Sequence, residues 1–217
     1  MDRAQETRIN REAALENMVL ARDIVAAKGA HVFLLFGTLL GAVRERDFIP
    51  HDDDVDMGIL EREQDAFFSS FAELERNGFR YYRTRTEMHM HSFVRKDEVI
   101  DFFLVGEKKT AFGRRWSLDR KASVSADALD TFDEIDFLGQ TFKVPHDPRK
   151  VLRSLFGKTW QVPIVGKRSR VDLGVRFAHF LRSPLEVASH VPEFIRLHLV
   201  WAFAAKKAMP GAAKSPK

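Results

Sequence analysis

Hydrophobic positions recur along the chain with two periods, and the switches between them mark out its elements. Residues 4–28 place Leu15, Met18, Val19 and Val25 at helical spacing, with Gly29 as a stop, and predict a helix. The apolar run HVFLLF at 31–36 predicts a short buried strand. Gly37-Thr38 punctuates it, and the following LLGAVRER has helical character. Residues 48–54, FIPHDDD, form a turn-rich entry to a second strand at 55–60, VDMGIL. Residues 61–76 predict a helix with an apolar face of Phe67, Phe68, Phe71 and Leu74, ended by Gly78.

The period then changes. FRYYRTRT, MHMHSFVR and VIDFFLV are three strand-like runs in succession, which predicts an antiparallel or mixed extension of the sheet. GEKKT reads as a turn, residues 111–134 are weakly patterned, and IDFLGQTFKV reads as a hairpin around Gly139. Asp147-Pro148 supplies an N-cap and a proline at the first helical position of a short helix that closes at Gly157. Residues 160–170 read as an Arg- and Lys-rich loop, 185–207 as a helix interrupted by Pro192, and MPGAAKSPK as a frayed tail.

Composition adds limits. A chain of 217 residues, 45% hydrophobic and 30% charged, suits one globular domain or one domain with a helical annex. The absence of cysteine excludes disulfides, thiolate zinc sites and a cysteine nucleophile, and fits a reducing compartment. Formal net charge is +4 and the pI about 9.4, with the excess spread along the chain. That balance suits an anionic substrate such as a nucleotide or phosphorylated glycan, or an anionic membrane surface; it equally suits an ordinary protein with a slight cationic excess. The charged opening MDRAQETRINREAALENM does not read as a signal peptide, and no apolar stretch is long enough to predict a membrane span.

The residues that carry chemistry lie between positions 36 and 59. Asp52, Asp53, Asp54 and Asp56 crowd four like charges into five positions, which repel unless a cation neutralises them. If Asp54 opens the strand, Asp54 and Asp56 share a face, because side chains alternate with period two. Two convergent carboxylates with room for water and phosphate oxygens suit Mg²⁺ or Mn²⁺. The alternative is a solvated acidic turn, against which stands the apolar VDMGI that carries Asp56 toward a buried sheet. Asp101 interrupts the apolar run VIDFFLV, where a charge needs a metal or an ionic partner such as an arginine. Gly37-Thr38, between strand and helix, sits where a helix N-terminus favours an anion, and Arg44, two turns on, is placed to reach a phosphate or to make a surface ion pair. Gly157-Lys158-Thr159 lacks the first glycine and preceding strand of a P-loop, and His89 with His91 is a weak zinc signal.

The segment GTLLGAVRERDFIPHDDDVDMGI resembles the opening motif of the LicD/fukutin family: Gly-Thr, Leu-Leu-Gly, an Arg, Ile-Pro and a close Asp series in that order. VIDFFLV resembles the family's later strand with its single Asp, and FLGQTFKVPHDPRKVLRSLFGKTW its Val-Pro, short helix and Gly-x-x-Trp segment. His51 stands where the family has Trp, and Phe156 where it has Tyr. The resemblance implies an α+β, nucleotidyltransferase-like (polymerase-beta-like) mixed sheet with packed helices, over residues 1–170, with a helical C-terminal annex and tail at 171–217. It implies transfer of phosphocholine, ribitol phosphate or a similar phospho-alcohol from a CDP-activated donor to a glycan hydroxyl, as in cell-surface polysaccharide modification. Carried over by residue, it gives Asp54, Asp56 and Asp101 to Mg²⁺ or Mn²⁺ and catalysis, with Asp52 as a neighbour, and Gly37, Thr38 and Arg44 to the donor's phosphates. A cytoplasmic protein at the inner face of the membrane, with no nucleic-acid partner, completes that expectation.

Two other readings stand beside it. Asp54-Val55-Asp56 also matches the Asp-x-Asp site of a metal-dependent glycosyltransferase, although only one strand-helix unit precedes it. A non-catalytic metal- or nucleotide-binding module is the third; an EF-hand counted from Asp52 would need Gly where Met57 stands. The apolar residues Phe194, Ile195, Leu197, Leu199, Val200, Trp201 and Phe203, followed by Lys206 and Lys207, suit an interfacial helix or one packed on the core.

Overall fold

A computed structural model describes residues 9–50, 52–85, 89–111, 113–118 and 122–163. Helix α1 (Arg11–Ala26) starts where the Asn10 side chain accepts the N–H of Ala13, so the helix does not run back through Ile9 as its pattern suggested. Its core face is Ala14, Met18, Ala21 and Val25, all without exposure. Strand β1 (Val32–Leu34) and helix α2 (Phe36–Arg44) follow, joined at Phe36, whose φ of 40° makes a sharp turn. Strand β2 (Val55–Leu60) is buried at every position except Asp56, which is half-buried.

The expected helix over 61–76 is instead a 3-10 turn (Glu61–Glu63), α3 (Gln64–Ser69) and α4 (Phe71–Arg76). The break falls at Ser70, whose hydroxyl donates to the carbonyl of Phe67 and so competes with the helical pattern. Phe67 and Leu74 are fully buried, and Phe68 and Phe71 pack at the edge of the core.

Strands β3 (Arg80–Arg85), β4 (Met90–Arg95) and β5 (Glu98–Thr110) form the expected antiparallel succession. GEKKT is not a turn: it continues β5 beyond the main sheet and pairs with β6 (Gly113–Ser117), which pairs in turn with β7 (Ser123–Ser125). Its exposed charged side chains are compatible with a strand because the ladder to β6 satisfies its backbone. Strand β8 (Phe132–Phe137) and β9 (Gln140–Pro145) make the hairpin around Gly139, with Leu138 and Gly139 both at positive φ. Helix α5 (Pro148–Phe156) is capped by Asp147, which accepts the N–H of Lys150, and ends at Gly157.

The main sheet has the order β3-β4-β5-β2-β1-β9-β8. It is mixed: β2 runs parallel to β5 and β1 parallel to β9, while the other neighbours are antiparallel. Helices α3 and α4 cover one face, where Phe67 meets Phe102 and Phe71 meets Phe93 at ring distances near 5 Å. On the other face the ring of Phe36, at the start of α2, lies 4.9 Å from that of Phe103. Helix α1 is tied to the β4–β5 turn by Asn17, which donates to the Arg95 carbonyl and accepts from the Arg95 guanidinium. The compact unit ends at Val162. The expected boundary at 170, the helix at 185–207 and the tail lie outside the described residues.

Candidate active site

Alternation within each strand and register between strands together decide which side chains meet. In the parallel β2–β5 pair, Asp56 stands directly opposite Asp101; in the antiparallel β5–β4 pair, Asp101 stands opposite Ser92; in β4–β3, Ser92 stands opposite Arg83. Partners on adjacent strands share a face. One row of side chains, Arg83, Ser92, Asp101 and Asp56, therefore crosses four strands and ends at the start of α2. Ser92 and Asp101 are buried.

The turn into α2 grips Asp56 from the other side. The N–H of Gly37 donates to Oδ2 of Asp56 at 2.9 Å, the Thr38 hydroxyl accepts the Asp56 N–H at 2.8 Å, and the Leu35 N–H donates to the Asp56 carbonyl. Thr38 is buried inside the first turn of α2 and makes no N-cap; its hydroxyl ties α2 to β2. Gly37 is required by close approach, since a Cβ there would stand 2.7 Å from Oδ2 of Asp52 and 3.2 Å from Oδ2 of Asp56. Asp52 thus closes over the same spot from the loop before β2. Oxygens of Asp52, Asp53 and Asp54 come within 4.8 Å of one another. That trio shares only Asp54 with the expected Asp54, Asp56 and Asp101; Asp52, which sequence alone left as a neighbour because its loop geometry carries no periodicity, comes up to Asp56 at Gly37.

Burial and crowding among these carboxylates raise their affinity for protons. Withdrawal from water, then Asp54 and Asp53, pushes the Asp52 carboxyl up to about 7. Burial raises Asp56 well above the usual carboxylate range; Asp54, Asp52 and Asp101 add to this, and the Gly37 N–H opposes it. On the row, a guanidinium nitrogen of Arg83 lies 3.9 Å from Oδ2 of Asp101 while its Nε donates to Ser92 Oγ at 3.3 Å.

Arg44 is not brought to this cluster. It occupies the last turn of α2, about 10 Å along the helix from Gly37, where it pairs with Glu45 at 2.6 Å and donates to the Trp160 carbonyl at 3.1 Å. There it borders a cleft of about 410 Å³ with Val43, Arg149, Trp160 and Gln161. His89 and His91 do not form a metal pair: His89 is in the turn before β4 at φ 48°, and His91 lies under α3 and α4, bonded to the Tyr81 hydroxyl at 3.1 Å.

Residues 29–147, more than half of the chain, match the nucleotidyltransferase-domain model described as LicD/FKTN/FKRP. The chain belongs to the LicD/FKTN/FKRP family. This LicD-family chain is similar to the ribitol-5-phosphate transferase FKTN of Macaca fascicularis, 25% identical over 75% of this chain and 36% of that protein. It is also similar to uncharacterized proteins of Caenorhabditis elegans, 27% identical over 74% of this chain and 45% of that protein, and of Rickettsia typhi, 27% identical over 48% and 33%. The chain thus spans less than half the length of these relatives. Among solved structures it is similar to the antibiotic-resistance factor ANT(2'')-Ia, with a TM-score of 0.50 at 12% identity over 87% of this chain and 99% of that one. The fold is nucleotidyltransferase-like, as the resemblance implied.

Proposed function

We propose that the protein is a divalent-metal-dependent transferase that moves a phospho-alcohol from a CDP-activated donor to a glycan hydroxyl. The observation that carries this reading is the opposition of Asp56 and Asp101 on parallel strands, closed over by Asp52 at Gly37. An all-oxygen carboxylate set suits Mg²⁺ or Mn²⁺, and the raised proton affinities of Asp52 and Asp56, caused by burial and then by neighbouring carboxylates, support a cation at this spot. Asp54, Asp56 and Asp101, with Asp52, would hold the metal, which when bound supplies charge neutralisation at the reacting phosphorus. Family membership and the likeness to FKTN support phospho-alcohol transfer over other uses of the fold, and ribitol 5-phosphate is the first candidate group.

The chain's own residues then have separable tasks. Gly37 and Thr38 fix Asp56 by its carboxylate and its backbone, so the acid does not reorganise during reaction. One carboxylate of the cluster accepts the proton of the acceptor hydroxyl. The acceptor oxygen forms a bond to the donor's distal phosphorus, the bond from that phosphorus to the bridging oxygen breaks, and CMP leaves. Positioning and charge neutralisation account for most catalysis of this kind.

The test is incubation with Mg²⁺, CDP-ribitol or CDP-choline and a glycan acceptor, followed by identification of the nucleotide and analysis of the product for phosphorus. CMP release with phosphorus on the glycan is expected. Turnover of a sugar nucleotide to a nucleoside diphosphate, with a phosphorus-free product, would establish the Asp-x-Asp glycosyltransferase reading instead.

A further inference from the structure

Strand β3 carries a register shift between Tyr81 and Arg83. Tyr81 stands opposite Phe93 on the aromatic face under α4, with its ring 5.6 Å from Phe71. Simple alternation would put Arg83, two residues on, on that same face. The bulge adds one residue, Tyr82, and turns Arg83 to the opposite face, in line with Ser92 and Asp101. Arg85, opposite Met90, follows it.

Three features define what the turned guanidinium can do. Its Nε is bound to Ser92 Oγ, and the group lies 5.1 Å over the Tyr82 ring, so its position is set from two sides. Its approach to Asp101, at 3.9 Å, is an ion pair longer than a hydrogen bond. The side chain is 34% exposed while that of Asp101 is 4% exposed, so the row is reachable from solvent at Arg83 and closed at Asp101. With strands about 4.8 Å apart, Arg83 and the N-terminus of α2 flank the acidic centre at a span of about 14 Å, within reach of a long side chain on one side and helix N–H groups on the other.

We propose that Arg83 is an anion-binding residue of this site, gripping a phosphate oxygen of a diphosphate ligand across the acidic centre from α2. The inference rests on the metal site proposed above and goes beyond it by assigning the ligand's second contact. A planar guanidinium suits a phosphate oxygen pair, and a diphosphate extends far enough to touch both the centre and its flank.

The test uses the chain loaded with Mn²⁺ and titrated with inorganic pyrophosphate, a probe that does not depend on the identity of nucleotide, alcohol or acceptor. Arg83→Met is expected to weaken pyrophosphate binding about 10- to 100-fold, the loss of one or two charge-assisted hydrogen bonds. Its Mn²⁺ affinity and melting temperature should stay near wild type, and Arg83→Lys should recover part of the loss. Arg83→Gln, which keeps a donor for Ser92, separates folding from anion binding if Arg83→Met is unstable. Unchanged pyrophosphate affinity overturns the proposal, as does a parallel fall in Mn²⁺ affinity, which would mark Arg83 as a residue that positions Asp101 rather than one that binds the anion. Wild type that binds Mn²⁺ but no pyrophosphate overturns it while leaving the metal site standing; wild type that binds no Mn²⁺ removes the metal site and this assignment together.

Discussion

The backbone N–H of Gly37 donates to Oδ2 of Asp56 at 2.9 Å, so the first turn of α2 and the acid of β2 are positioned as one piece. At a helical position, Ala in place of Gly ordinarily adds about 0.5–1 kcal/mol of stability. Here the new Cβ would stand 2.7 Å from Oδ2 of Asp52, a terminal oxygen that can rotate away. Gly37→Ala should therefore keep its melting temperature within a few degrees of wild type while kcat/KM falls about 100-fold through displaced carboxylates. Full activity, or gross unfolding, would contradict the close-approach role of this glycine.

Asp54→Asn, Asp56→Asn and Asp101→Asn each remove charge from the proposed metal set. Each should lower kcat/KM at least about 100-fold, about 2.7 kcal/mol of transition-state stabilisation, with far-UV circular dichroism unchanged. Near-normal turnover at saturating Mg²⁺ in any one of them would remove that residue from the set.

Asp52 gives the metal-free protein a distinctive pH dependence. Its carboxyl is raised from the usual 3.8 to about 7, so between those values the native state holds a proton that the unfolded chain has released. Stability must then fall as pH rises from about 4 to about 7, by up to about 4 kcal/mol from this group. Asp52→Asn should flatten that limb and exceed wild type in stability at pH 8 without metal. Mg²⁺ should stabilise wild type more at pH 8 than at pH 5, because cation and proton compete. Melting curves of both proteins at the two pH values, with and without Mg²⁺, decide the point; equal slopes for the two proteins would refute it.

His91 acts in the opposite direction. Burial, with a smaller contribution from His89, pushes its imidazole down to about 4. On acidification the unfolded chain takes up the proton first, so this group's contribution is complete above about 6.5 and is lost as pH falls toward 4, about 3 kcal/mol in all. His91→Phe keeps an aromatic ring among Phe67, Phe68 and Phe71, and the half-buried Tyr81 hydroxyl keeps its hydrogen bond with Thr84. The variant should lose less stability than wild type between pH 7 and pH 4.5 in urea titrations, and an equal loss would exclude His91 as the cause.

The sequence by itself determined the local devices. Val55–Leu60 is a strand because six apolar-rich residues follow a turn; α5 is bounded by Asp147-Pro148 and Gly157; the hairpin turns at Gly139; and the order of Gly37-Thr38, the Asp series and Asp101 carries the family. The strand, the helix bounds and the hairpin each depend on chemistry within a few residues, and the family on the order of short motifs. Tertiary structure alone decided who meets whom. Period-two alternation says that Asp101 and Phe103 share a face, but only the parallel register of β5 on β2 sets Asp101 opposite Asp56. Only pairing with β6 makes GEKKT a strand, because its backbone finds donors and acceptors there that its charged side chains do not advertise. Arg83 reaches the carboxylate face through a one-residue bulge that no hydrophobic pattern encodes, and Asp52 reaches Asp56 because a glycine in another element leaves room for it. Pairing partners lie far apart along the chain, and what selects them is the burial of whole faces and the closure of backbone hydrogen bonds, which no short window of sequence contains.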